Sequence, residues 1–257
     1  MGRAIIALYG ALSYLVFLIT FLYAIGFVGD LFVPKTIDSG AAVTSTPAAF
    51  IIDVLLLGLF AVQHSGMARR GFKRWLTRLV PTAAERSTYV LISSAALILL
   101  FWLWQPLASV IWRVDSPAGQ LVLYILYALG WLIVLTGTFM INHFDLFGLQ
   151  QVWLNLRGRS SPPPAFRTTL FYKVVRHPLM LGFVIAFWAT PYMSAGHLLF
   201  AIATSGYILL ALQLEERDLI AVFGDTYREY RRRVPMLLPL TRRKPKSAIG
   251  LANIHKE

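Results

Sequence analysis

Arg176, His177 and Pro178 stand directly before an apolar run, in the stretch KVVRHPLMLG at residues 173–182. A proline at the first helical position leaves the next amides, those of Leu179, Met180 and Leu181, without acceptors inside the helix, and the helix dipole adds positive potential there. With a guanidinium and an imidazole beside it, such a helix start suits an anion, a carboxylate in particular. The plainer reading lets Arg176 snorkel to lipid headgroups, with His177 an ordinary interfacial residue.

Forty residues on, EERDLIAVFGDTYREYRRRVPMLLP (215–239) supplies the opposite charge. Glu215 and Glu216 are adjacent, so on a helix they point to different faces. One can turn inward to a cationic or hydroxyl-bearing ligand while the other pairs with Arg217 or meets solvent. Tyr227 and Tyr230 offer ring faces to a flat group, and the arginines at 231–233 suit anionic headgroups. Asn142, His143, Phe144 and Asp145 come next, followed by Phe147, Gly148, Gln150, Gln151 and Trp153, and then by the pair Gln63 and His64. An imidazole or carboxylate among these is a candidate general base. Asp53 has no evident partner, and His197 and His255 carry no assigned role. There is no cysteine, and His64, His143 and His177 show no HxxxH or HxxE spacing, so no metal is expected.

The elements that must position these groups belong in a bilayer. Of 257 residues, 57% are hydrophobic and only 14% charged, too little polar surface for a soluble domain of this size. Apolar runs at about 5–29, 48–66, 87–104, 120–141, 179–191 and 197–214 predict an all-α, polytopic membrane bundle of about six helices. The last two form a hairpin about PYMSAG, and an amphipathic tail helix follows. The first run is longer than a signal-peptide core and reads as a retained anchor. A single transmembrane domain is expected over 1–240, its ligand-binding module at about 168–240. SSPPPAF (160–166) reads as a stiff linker and 241–257 as a basic, disordered tail.

With the N-terminus inside, 22 of the 24 lysines and arginines fall on one side, and only Lys35 and Arg113 lie opposite. The positive-inside rule makes that side cytoplasmic, with both termini. The net charge of +12 is then a statement about topology and anionic headgroups, not about nucleic acid. The same threading brings His64, NHFD, RHP and the two glutamates to one depth, and polar groups within lipid tend to mark a site. A pocket facing the cytosol is expected, in a bacterial inner membrane, with no protein partner inferred.

LFYKVVRHPLMLG followed, after a hairpin, by EERDLIAVFGDTYREYRRRVPMLLP resembles the paired signature of the isoprenylcysteine carboxyl methyltransferase and phospholipid methyltransferase superfamily. The resemblance covers about the last 90 residues of the chain. FAVQHSGMARRGFK (60–73) and NHFDLFGLQQVWLNL (142–156) resemble a narrower group, the methanethiol S-methyltransferases and NnrU-type membrane proteins, over most of the chain. The sequence departs from the superfamily pattern at Met180, where a tyrosine is usual, and at Phe171, where a glycine is.

The resemblance implies S-adenosylmethionine as methyl donor, methanethiol as acceptor, and dimethyl sulfide and S-adenosylhomocysteine as products. Arg176, His177, Pro178, Leu179 and Gly182 would then hold the donor's amino-acid end. Tyr172, Glu215, Glu216, Tyr227 and Tyr230 would address its ribose, ammonium or adenine. Asp145, with His64 or His143, is the expected base. Asn142, Gln150 and Gln151 would line the thiol pocket, and a small apolar cavity near Phe144, Phe147 and Trp153 would select a one-carbon thiol. Two alternatives remain: methylation of a lipid amine or prenylcysteine carboxylate, and a non-catalytic NnrU-type partner of a nitrogen-oxide respiratory complex.

Overall fold

The computed structural model describes residues 2–40, 44–160 and 168–239; the basic tail and all of the proline-rich linker but Ser160 lie outside the described residues. In chain order the helices are α1 (Arg3–Gly29), α2 (Thr46–Ala68), α3 (Arg70–Leu76), α4 (Glu85–Leu103), α5 (Pro117–Ile141), α6 (His143–Leu146), α7 (Leu149–Leu156), α8 (Pro178–Trp188), α9 (Ala195–Phe223) and α10 (Asp225–Arg233). Strands β1 (Val110–Arg113) and β2 (Tyr192–Ser194) pair antiparallel.

Five helices, α1, α2, α4, α5 and α9, are long and apolar enough to cross a membrane. The sixth expected span is shorter than its apolar run. At 11 residues, α8 is about 16 Å long, roughly half a hydrocarbon core of about 30 Å. It ends at Trp188 because Pro191 disfavours helical geometry at Thr190, and the chain then pairs as β2. α9 does the reverse. It continues past its apolar stretch to Phe223, so Glu215 and Glu216 sit on a helix and not in a tail.

Packing closes the helices into a ring: α9 on α2, α2 on α4, α4 on α1, α5 on α8, and α8 on α9. α1 meets α5 where the Tyr127 hydroxyl donates to the Ile25 carbonyl and Phe21 sets its ring against Trp131. The tightest seam is α5 against α8. A Cβ on Gly182 would lie 2.7 Å from the Gly130 carbonyl oxygen, and one on Gly130 2.7 Å from the Ala186 amide nitrogen. Small residues let membrane helices approach backbone to backbone in this way. Gly182, expected at the donor site, serves this seam.

Away from the basic loops the ring is filled by Phe27, Phe101, Trp104, Trp131, Phe187 and Phe200. A loop plugs that end: Ile37 is fully buried, its amide donating to the Phe27 carbonyl at 2.9 Å and its carbonyl accepting from Trp104 Nε1 at 3.1 Å. Asp53 finds its partner here. Its Oδ1 accepts the Gln105 amide at 2.8 Å, just beyond the end of α4. The polar candidates all lie toward the other end of the ring, where the basic segments gather.

Candidate active site

Glu216 is the centre of the first polar group. Its side chain is 6% exposed, and Arg176 Nε donates to its Oε1 at 2.7 Å. His177 Nε2 lies 3.3 Å from the same oxygen, and Arg231 approaches Oε2 at 3.7 Å. Glu215 leaves α9 at a different angle: half exposed, its Oε2 sits 3.8 Å from His177 Nδ1. The two glutamates do take different faces, but the inward one, Glu216, is held by Arg176, His177 and Arg231, and it is the half-exposed Glu215 that faces outward.

Arg176 does not stand free for an anion. Besides Glu216 it donates to the backbone carbonyls of Arg231 (3.0 Å) and Val234 (2.5 Å), while its own amide donates to the Pro235 carbonyl. It fastens the segment after α10 to the start of α8. That fold-back depends on Gly224, whose φ of 56° and ψ of −128° lie where only glycine is comfortable. Pro178 opens α8 as expected. The Leu181 amide closes on the His177 carbonyl, and those of Leu179 and Met180 are first-turn donors with no acceptor inside the helix.

Tyrosines wall the group. Tyr230 donates to the Tyr172 carbonyl at 2.6 Å, and its ring meets Tyr227 edge-on at 5.8 Å. Burial pushes the Tyr230 phenol up to about 12 and raises those of Tyr172 and Tyr227 as well. All three stay protonated at neutral pH, so each hydroxyl keeps a proton to donate.

The second group gathers at the exit of α5. The Asn142 side chain accepts the Asp145 amide at 3.2 Å and donates to Gln150 Oε1 at 2.5 Å. Gln151 Nε2 donates to Asp145 Oδ1 at 3.0 Å. His143 is buried with both ring nitrogens engaged: Tyr14 OH lies 2.7 Å from Nε2 and Thr138 Oγ1 2.9 Å from Nδ1. Because Thr138 already donates to the Leu135 carbonyl at 2.6 Å, Nδ1–H is the donor to Thr138 and Nε2 accepts from Tyr14. Burial lowers the His143 pKa.

Phe144, Phe147 and Trp153, expected to shape a small apolar cavity, each have other partners among the described residues. Phe147 stacks on Phe17 of α1 at 3.9 Å. Phe144 is half exposed and edge-on to Phe139, and the half-exposed Trp153 lies under the Arg157 guanidinium. Phe144 and Phe147 both meet the His143 ring, at 5.5 and 4.9 Å, while Trp153 pairs with Arg157 instead.

His64 belongs to a third group, between α2, α4 and α9. Tyr89 OH lies 2.9 Å from its Nε2, and its ring stacks on Phe60 at 5.1 Å. Next to it, Ser65 Oγ and Tyr207 OH are 3.0 Å apart, and Gln63 Nε2 donates to Ser93 Oγ at 3.2 Å. Tyr14, Tyr89, Tyr207 and Thr138 were not singled out from the sequence. Their one signal was a hydroxyl inside an apolar helix. Among the described residues, no three His, Asp or Glu side chains gather as a metal site requires.

The model of the NnrU protein family matches residues 52–214. A methanethiol S-methyltransferase of Mycobacterium tuberculosis is 60% identical over 239 residues, spanning 93% of this chain and 98% of that protein. The chain belongs to the NnrU family, on its methanethiol S-methyltransferase branch. The methanethiol S-methyltransferase of Pseudomonas deceptionensis is 54% identical over 220 residues, covering 86% of this chain and 84% of that one. Nurim of Rattus norvegicus is 30% identical over 183 residues, 67% of this chain and 68% of its own. No solved structure matches. The NnrU match takes in His64, the α5 exit and the start of α8, and stops at Leu214, one residue before Glu215.

Proposed function

We propose that this protein methylates methanethiol with S-adenosylmethionine, releasing dimethyl sulfide and S-adenosylhomocysteine. The observation that carries this reading is 60% identity to a methanethiol S-methyltransferase over 98% of that protein's length. The chemistry around α8 agrees with it. First-turn amides at Leu179 and Met180 suit the donor's carboxylate, the half-exposed Glu215 suits its ammonium or ribose hydroxyls, and the tyrosines suit its flat base. When bound, S-adenosylmethionine supplies an electrophilic methyl on a sulfonium sulfur.

The chain's own residues bind and orient. Arg176 holds His177, Glu216 and the segment after α10 in one arrangement and acts as a positioning residue. A thiol in line with the methyl needs only placement in a dry site and removal of its proton. The basic face is assigned to the cytoplasm, where the arginines at 231–233 meet anionic headgroups, and Asn142, Gln150 and Gln151 are kept as polar neighbours of the thiol.

The test is incubation of purified protein with S-adenosylmethionine and a panel of thiols, amines and carboxylates, measuring S-adenosylhomocysteine and volatile sulfide. Dimethyl sulfide from methanethiol is expected. Turnover with lipid amines or prenylcysteines only would replace the acceptor, and failure to bind the donor would make the chain a non-catalytic membrane partner.

A further inference from the structure

His64 has one ring nitrogen paired and one bare. Nε2 is 2.9 Å from Tyr89 OH, while Nδ1 is buried with no hydrogen-bond partner among the described residues. A proton on Nδ1 would bury an unmatched N–H, the rarer and costlier orphan; on Nε2 it is donated to the Tyr89 oxygen and Nδ1 is left as a lone pair. Gln63 Oε1, one residue earlier on α2, is a second buried acceptor without a donor among the described residues. Two neighbouring buried acceptors call for a ligand that brings a hydrogen.

Of the other two base candidates, His143 has both ring nitrogens engaged, and Asp145 already accepts from Gln151 on Oδ1. The position of His64 also fits the donor site. Tyr207 of α9 reaches Ser65 beside His64, and Glu215, eight residues on, reaches His177. Eight residues of helix span about 12 Å. A hydrogen bond of about 3 Å and an in-line approach of about 3 Å leave roughly half of that for the donor's amino-acid arm.

Resting on the methyltransferase reading above, we propose that His64 Nδ1 is the base that takes the thiol proton, and that Tyr89 is the positioning residue that fixes the tautomer leaving Nδ1 bare. As the thiol proton moves to Nδ1, the sulfur's electron pair forms the new bond to the methyl carbon. The old carbon–sulfonium bond breaks, and its pair stays on the sulfur of S-adenosylhomocysteine. The imidazolium then returns its proton to water, so charge and atoms balance.

The experiment compares the full-length wild type with His64→Gln and Tyr89→Phe in nanodiscs, using methanethiol and the more acidic 2,2,2-trifluoroethanethiol. Glutamine keeps a donor toward Tyr89 but offers no base at the Nδ1 position. For His64→Gln, kcat with methanethiol is expected to fall by about 100-fold or more, the loss with the acidic thiol to be much smaller, and S-adenosylhomocysteine affinity to stay within about twofold of wild type. Equal losses with both thiols, or an unchanged kcat, would overturn the assignment. Independently of turnover, 15N spectra of histidine-labelled wild type should show a bare Nδ1 and a protonated Nε2 at His64, and Tyr89→Phe should mix the tautomers. A protonated Nδ1 in wild type would overturn it too. Wild-type protein that binds the donor but makes no dimethyl sulfide would instead sink the functional reading.

Discussion

Arg176 and Glu216, 40 residues apart in sequence, meet at 2.7 Å with less than a tenth of either side chain exposed. Removing Arg176 leaves the buried Glu216 carboxylate with only the longer contacts to His177 (3.3 Å) and Arg231 (3.7 Å), so Arg176→Met should cost up to about 3 kcal/mol, whereas Arg176→Met combined with Glu216→Leu should recover most of it. Activity should not follow stability, because the double variant still lacks the contacts that hold His177 and the segment after α10. Thermal midpoints in nanodiscs beside S-adenosylhomocysteine titrations check this. Recovery of both together would mean the pair is only a strut.

Gly182 and Gly130 set the spacing between α5 and α8. In Gly182→Ala the new methyl meets backbone, the Gly130 oxygen at 2.7 Å and the Val134 amide nitrogen at 2.9 Å, and neither can swing aside. A loss of about 1–3 kcal/mol is expected, read as a lower unfolding midpoint. Gly206→Ala on α9, where nothing lies within 4 Å, should leave the midpoint unchanged or slightly raised in the same assay.

Much of this was legible in the residues, for identifiable reasons. Length and apolarity marked the long spans, and lone ionisable residues at their ends marked the polar groups. Two things were hidden. The length of α8 depended on Pro191 acting through Thr190, a local effect inside a continuous apolar run. The stacking of Phe147 on Phe17 depends on what α1 offers, and no spacing within 142–156 encodes that. Arg176 reads as an anion ligand in the sequence because its partner Glu216 lies 40 residues on, beyond α8 and most of α9, where sequence distance conceals contact.

His143 gives a pH dependence with a definite sign. Burial holds its folded-state pKa below the ordinary imidazole value, so below about pH 6.5 the unfolded chain takes a proton that the native state refuses. Its stabilising contribution is present above the unfolded pKa and is lost as pH falls toward the folded one. His143→Gln should flatten this part of the stability profile, leaving the midpoint less dependent on pH between about pH 5 and pH 7. A slope identical to wild type would mean that other groups carry it.

Orientation can be read directly, because the chain has no cysteine of its own. Ser160 and Asp115 are exposed near opposite ends of the bundle, one beyond α7 on the basic side, the other between β1 and α5. The positive-inside rule predicts that the basic side faces the cytoplasm. A membrane-impermeant maleimide should therefore label Asp115→Cys in intact spheroplasts and Ser160→Cys only after permeabilisation. The reverse pattern would turn Glu216, His177 and His64 away from the cytosol, where S-adenosylmethionine is made. No arrangement of donors at the start of α8 could then rescue a methyl-transfer role.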